Sequence, residues 1–142
     1  MTTVPATPAK PLPQVGPDMQ PFFDAARRHA LVVQQCARCQ ALRFPARSIC
    51  SRCLARDASW VAVSGRGHVF SFVVMHQAAH AGFAAEVPYA VVMIQLDEGP
   101  RLLSNLLDCA PGDIRIGMPV EVVFDEVTAE VTLPKFRPRD AE

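Results

Sequence analysis

Residues 36 to 53, CARCQALRFPARSICSRC, hold two Cys-x-x-Cys pairs, Cys36/Cys39 and Cys50/Cys53, with ten residues between them. A tetrahedral divalent ion needs four soft or borderline donors at one common distance, and each Cys-x-x-Cys turn offers two from a single short loop. Two such turns close the coordination shell and leave no position for water, as in a structural site rather than a catalytic one. The competing reading is four ordinary cysteines, paired as disulfides. In a reducing compartment this spacing reads instead as metal binding. Zn²⁺ is the expected ion, one per chain. Iron in a rubredoxin-like site is the main competitor, because sulfur ligation alone does not separate the two metals. The sequence shows no redox partner motif or second cofactor motif, which favours zinc. Metal binding then becomes folding free energy, on the order of 10 kcal/mol in small zinc domains.

Other reactive side chains are present without a reactive context. Cys109 has no partner in the sequence and reads as a loop or semi-buried thiol, not a nucleophile. His68, His76 and His80 lie close together in sequence and invite a general-base or second-metal reading. His76 falls at a strand end and His80 in a loop, so they are expected to face solvent or to make structural hydrogen bonds. Gly65-Arg66-Gly67 is too short for a phosphate loop and precedes a strand. No catalytic residue is assigned.

The elements around the cysteines follow from composition and pattern. At 142 residues the chain is one or two small domains, half its residues hydrophobic and its charges cancelling at 14 against 14. The start MTTVPATPAK has no apolar core of secretory length, and no apolar run reaches 18 residues. The expectation is a cytoplasmic protein with no signal peptide and no membrane span. The neutral total hides an asymmetry. Residues 25 to 56 carry seven arginines and no acid, whereas residues 86 to 130 carry nine acids and two arginines. A cationic front half suits capture of a phosphate-bearing ligand or docking of an acidic partner. Part of the excess would also balance four thiolates around Zn²⁺, a local charge of about −2.

Residues 1 to 17, with five prolines, read as a flexible extended arm. Residues 18 to 33 read as a helix capped by Asp18, with Pro21 in its first turn and Phe22, Phe23, Ala26 and Ala30 at helical spacing. The paired phenylalanines Phe22 and Phe23 either cover the ribbon or reach a neighbouring chain, and His29 is a surface residue of this helix. The ribbon follows, giving an N-terminal unit of residues 18 to 62. Within it Leu42 and Phe44 alternate with Arg43 until Pro45 breaks the strand, and Trp60 and Val61 begin a segment leaving the ribbon. From 63 to 138 the pattern is β, and 139 to 142 form a tail. His68 to Gln77 reads as a strand buried on both faces. A small-residue loop, 78 to 88, carries Phe83 at its tip, where an exposed aromatic would anchor a partner. Strands then follow at Tyr89 to Leu96, Arg101 to Leu107, Pro119 to Val127 and Val131 to Phe136, the last confined to an edge by Pro134. Five strands with a helical turn between the third and fourth match an OB-fold barrel. The fold class is therefore mostly β: a helix and rubredoxin-like ribbon, then a five-stranded OB barrel.

A helix opening on PFF, two cysteine knuckles separated by RFPAR, then VSGRGHVFS, GFAAEVPYAV, DEGPRLLSNL, IGMPVEVVF and a TLPKFRP ending together resemble the zinc-ribbon OB-fold proteins associated with acyl-CoA metabolism. The resemblance covers residues 18 to 138. It implies an accessory subunit of a lipid-transfer-type thiolase or hot-dog acyl-CoA hydratase, with zinc on Cys36, Cys39, Cys50 and Cys53. CoA itself carries phosphates that arginine's planar fork suits, making Arg43 and Arg47 candidates for CoA or partner contact. Solvated ribbon arginines are the plain alternative. One departure stands out: many relatives place Gly after the second cysteine of each pair, where Gln40 and Leu54 stand here. A single-stranded nucleic-acid module is the second reading, since ribbons and OB folds both serve it. An acidic barrel with one tyrosine counts against it.

Overall fold

The computed structural model describes residues 9 to 140. Two sheets share one core. The first is a three-stranded ribbon, order β2-β1-β3, of β1 (Val32–Cys36), β2 (Leu42–Arg43) and β3 (Ala58–Ala62). The second, order β6-β5-β4-β7-β8, comprises β4 (Arg66–Met75), β5 (Tyr89–Leu96), β6 (Arg101–Asn105), β7 (Pro119–Glu126) and β8 (Thr132–Pro138). Its ends nearly meet: Leu106 bridges Phe136, and the Leu107 amide donates to the Phe136 carbonyl at 2.7 Å. The result is a nearly closed five-stranded barrel filled by Val69, Val92, Ile94, Val120 and Phe136, all 0% exposed. Short 3₁₀ turns span Ala81–Phe83 and Pro111–Asp113.

The single helix, α1, covers only Gln20–Arg27. The expected continuation to residue 33 fails because His29 takes a left-handed conformation (φ 57°), ending the helix. Beyond it Leu31 and Val33 become the inward side of a strand. The short apolar run Leu31 to Val33 fits either element, and pairing of β1 with β3 decides between them. Asp18 does not cap α1; Met19 holds that position without a side-chain bond, while Pro21 does occupy the first turn. Trp60 and Val61 likewise stay in the ribbon, paired with Gln34 and Val33, instead of leaving it.

Phe22 is buried against Phe44 (centroids 5.0 Å) and edge-on to Phe23 (5.2 Å). Its ring is spent within this chain, wedged between α1, the ribbon and the barrel, and is not available to a neighbour. Of the proline-rich arm, residues 1 to 8 lie outside the described residues, as does part of the 139 to 142 tail. Residues 9 and 10 rest on the barrel's loop: their backbone lies against Gly82, and Lys10 pairs with Glu86 at 2.9 Å.

Strand β4 is buried on one face only. Phe70 and Val73 are 41% and 55% exposed, contrary to the two-sided burial expected from its unbroken apolar run. Where β4 crosses β5, Gly67 permits a close approach: a Cβ there would stand 2.3 Å from the Gln95 carbonyl oxygen. That neighbour is backbone and cannot swing aside. Gly67→Ala is expected to cost about 1–3 kcal/mol, read as a shifted urea midpoint with unchanged slope. A midpoint equal to the parent's would refute the close packing.

Candidate metal centre

The ribbon's two turns are near copies of each other. In the first, the Gln40 amide donates to the Cys36 carbonyl and the Cys36 amide to the Ala41 carbonyl, at 3.0 and 2.9 Å. In the second, Leu54 to Cys50 and Cys50 to Ala55 repeat the pattern at the same distances. Each turn closes through a left-handed residue, Gln40 (φ 63°) and Leu54 (φ 64°), at the positions where glycine is absent. That conformation costs about 1–2 kcal/mol for each non-glycine residue. Gln40 recovers part of it, donating from its amide side chain to the Ala37 carbonyl at 3.1 Å.

The turns bring the four sulfurs together. Cys36, Cys39, Cys50 and Cys53 have Sγ atoms all within 4.8 Å of one another, with Cys36–Cys53 at 3.5 Å and Cys39–Cys50 at 3.6 Å. Four sulfurs about 2.3 Å from a common centre stand about 3.8 Å apart, so the spacing suits a tetrahedral ion. None of the cysteines is in a disulfide. Backbone amides of Cys53 and Arg52 point at the Cys50 sulfur and pull its pKa down to about 6. The amide of Cys39 lowers Cys36 in the same way. Cys39 receives the Ala41 amide, but burial and the three neighbouring sulfurs outweigh it and push it up to about 11. Crowded thiols thus divide into early and late titrating members, and a bound cation would relieve that crowding. All four donors are committed, so the centre supports structure.

The arginines behave differently from one another. Arg43 is half-buried: its Nε donates to Gln34 Oε1 at 2.7 Å and its Nη2 to the Arg47 carbonyl at 2.9 Å. Gln34 Oε1 also accepts the Arg47 amide at 3.0 Å, so Arg43 and Gln34 together brace the loop between the knuckles. Arg47 keeps its side chain exposed. The Gln34 role went unseen in the sequence, because a lone glutamine carries no motif; only its strand position opposite Arg43 reveals it.

The remaining residues of interest disperse. Phe83 is half-buried, covered by Tyr89 (5.8 Å) and by the Lys10 ammonium (5.8 Å), not displayed at a bare loop tip. His80 caps its own 3₁₀ turn, accepting the Gly82 amide at 2.9 Å. His29 stacks on Phe124 and reaches Glu126 at 2.8 Å, tying the end of α1 to β7. Cys109 is half-buried, and burial beside Asp113 raises its pKa, the opposite of an activated thiol. No helix among the described residues is long and apolar enough to cross a membrane.

A four-cysteine ribbon packed on an OB barrel defines a rubredoxin-like ribbon/OB-fold protein. Residues 23–58 match the model described as "ChsH2, rubredoxin-like zinc ribbon domain", and residues 60–125 the "ChsH2, C-terminal OB-fold domain". A "DUF35 domain-containing scaffold protein" of Methanocaldococcus jannaschii is 36% identical over 101 residues, 70% of this chain and 71% of that protein. The chain belongs to this DUF35 (ChsH2-type) family. It is also similar to a "Probable enoyl-CoA hydratase alpha subunit" of Thermomonospora curvata, 42% identical over 91% of this chain, yet it spans only 40% of that protein's length. Among solved structures, "Ltp2-ChsH2(DUF35) aldolase" aligns with a TM-score of 0.82 and 42% identity, covering 89% of this chain and 98% of the other.

Proposed function

We propose that this chain is a non-catalytic accessory subunit that holds one structural Zn²⁺ and docks onto an acyl-CoA-processing enzyme, a lipid-transfer-type thiolase/aldolase or a hot-dog hydratase. The observation that carries the reading is the 42% identity, over 89% of the chain, to a protein solved as an Ltp2–ChsH2(DUF35) aldolase. The closed four-sulfur centre supports it, because a saturated ion stabilises a fold and activates no water. Zinc is preferred to iron since the ribbon lies beside no second cofactor motif. The cytoplasm, where thiols stay reduced, is the compartment that suits such a site.

Reduced protein is expected to carry one zinc per chain by elemental analysis and to co-sediment with purified Ltp2-type aldolase subunit in the ultracentrifuge. Turnover of an acyl-CoA by this chain alone would sink the reading. So would salt-sensitive binding of a single-stranded oligonucleotide at about 50 mM salt.

CoA contact is a finer part of the proposal. Arg47 is the side chain displayed for a phosphate, with Arg43 positioning its loop. Phe23, half-buried beside the groove between α1 and the barrel, is proposed as an apolar partner contact. Calorimetry with CoA should show roughly tenfold weaker binding for Arg47→Ala. Equal affinity of variant and parent would return Arg47 to the solvent.

A further inference from the structure

In an antiparallel sheet with one face on the core, the other face is ordinarily polar. The barrel breaks that rule across β4, β5 and β6. Register places Ser71 opposite Met93, Met93 opposite Leu103, and Val73 opposite Val91, all pointing away from the buried Val92, Ile94 and Leu102. Phe70 sits in the irregularity between Val69 and Ser71, which turns it outward too. Phe70, Val73 and Leu103 are 41%, 55% and 65% exposed. Helix α1 lies against β1, β7 and β8 and leaves this face open. Leu103 also borders the groove holding Phe23 and Pro134, so the apolar surface continues around the edge strand.

The Arg101 side chain is fixed on this face. The Arg101 guanidinium lies 3.7 Å above the Phe70 ring, and its Nε donates to Gln95 Oε1 at 2.6 Å. Gln95 is itself held by donation from its Nε2 to the Gly99 carbonyl. A surface arginine usually samples many rotamers, and ordering it on binding costs about 0.5–1.5 kcal/mol. Here that ordering exists beforehand. Among the described residues neither terminal nitrogen of Arg101 has a hydrogen-bond partner, so two donors of a planar fork are presented outward. Aromatic and arginine anchors set in apolar surroundings are the residue types that dominate binding energy at protein interfaces.

We propose that the outer face of β4, β5 and β6 is the docking surface of the accessory subunit, and that its occupant is an apolar patch of the partner enzyme bearing a carboxylate opposite Arg101. This rests on the accessory-subunit reading above. A second copy of the chain fits poorly, because the outward positions of these three strands carry no Asp or Glu. A symmetric pairing of two such faces would bury Arg101 against apolar side chains with no opposing charge, which is costly. Charge complementarity therefore selects a different protein.

The test uses the full, metal-loaded chain and purified Ltp2-type aldolase subunit, with affinity measured by calorimetry. Leu103→Glu and Arg101→Glu are each expected to weaken binding by roughly tenfold or more, while Arg101→Lys, which keeps charge and loses the fork, falls between. Glu130→Ala, on the far connection between β7 and β8, should bind as the parent does. Far-UV dichroism and zinc content separate a folded variant from a misfolded one, and all three sites are exposed enough to tolerate the change. Undiminished affinity in both glutamate variants overturns the docking face while leaving the accessory-subunit reading intact. Failure of the parent chain to bind counts against that reading and takes the face with it. A parent dimer that either glutamate variant dissociates would make a second copy the occupant and overturn the proposal.

Discussion

Cys50→Ser, or removal of the metal from reduced protein by a chelator, is expected to unfold residues 36 to 57 and leave the barrel standing. Cys50 is 2% exposed, and beyond the Arg43–Gln34 brace and the packing of Phe44 on Phe22 the loop around it has little other support. Residues 45 to 57 contain no strand or helix, and their larger apolar side chains Ile49 and Leu54 face outward at 40% and 75% exposure. Two left-handed non-glycine residues add strain that something must offset. Metal ligation, on the order of 10 kcal/mol in small zinc domains, is the one term large enough. The buried residues of the shared core, Val69, Val92, Ile94, Val120 and Phe136 among them, all lie outside 36 to 57, so two transitions should separate. Trp60, on β3 of the ribbon, would report the first by a change in emission, and far-UV dichroism the second. Stoichiometric metal loss with no change in Trp60 emission or protease resistance would show that the ribbon is held by other means.

Phe136→Ala should lower the barrel's own stability by about 3–5 kcal/mol, a fall in melting temperature on the order of 10 °C. Phe136 is 0% exposed, pairs with Val122 across β7 and β8, and bridges Leu106 where the sheet comes round on itself. Its removal leaves a cavity at the seam, where β6 and β8 are held mainly by this bridge, the Leu107 amide and the Ser104 hydroxyl donating to the Pro134 carbonyl at 2.8 Å. Domains of this size are stable by about 5–15 kcal/mol, so the loss is a large share of the whole. Metal content should not change, since the four sulfurs lie on the ribbon's turns and the end of β1, away from the seam. A melting temperature within about 2 °C of the parent would show that the seam relaxes and fills the space.

The docking face illustrates how a pattern can be read correctly and interpreted wrongly. The run from Val69 to Met75 is apolar at nearly every position, and such a run predicts a strand covered on both sides. The strand is there; the second cover is not, among the described residues. Hydrophobicity records that a surface is to be removed from water, without recording whether the same chain or another does it. Phe22 and Phe83 show the converse. Each was a candidate for a neighbour, yet Phe22 is buried on Phe44 and Phe83 is sheltered by Tyr89 and Lys10. Aromatic bulk alone does not say which side of the molecule it will face.

What the sequence determined by itself was everything governed by short-range chemistry. Four cysteines at fixed spacing name their own ligand geometry, and glycines, prolines and alternating side chains mark where strands begin and stop. The second strand of the barrel, Tyr89–Leu96, could be placed to the residue for that reason. Tertiary structure alone decided where residues 28 to 36 would change from helix to strand, because the short apolar run Leu31 to Val33 fits either element and only the pairing with β3 distinguishes them. It alone decided that Arg43 braces a loop while Arg101 rests over the Phe70 ring, since a guanidinium's role is set by the partners that long-range folding brings close.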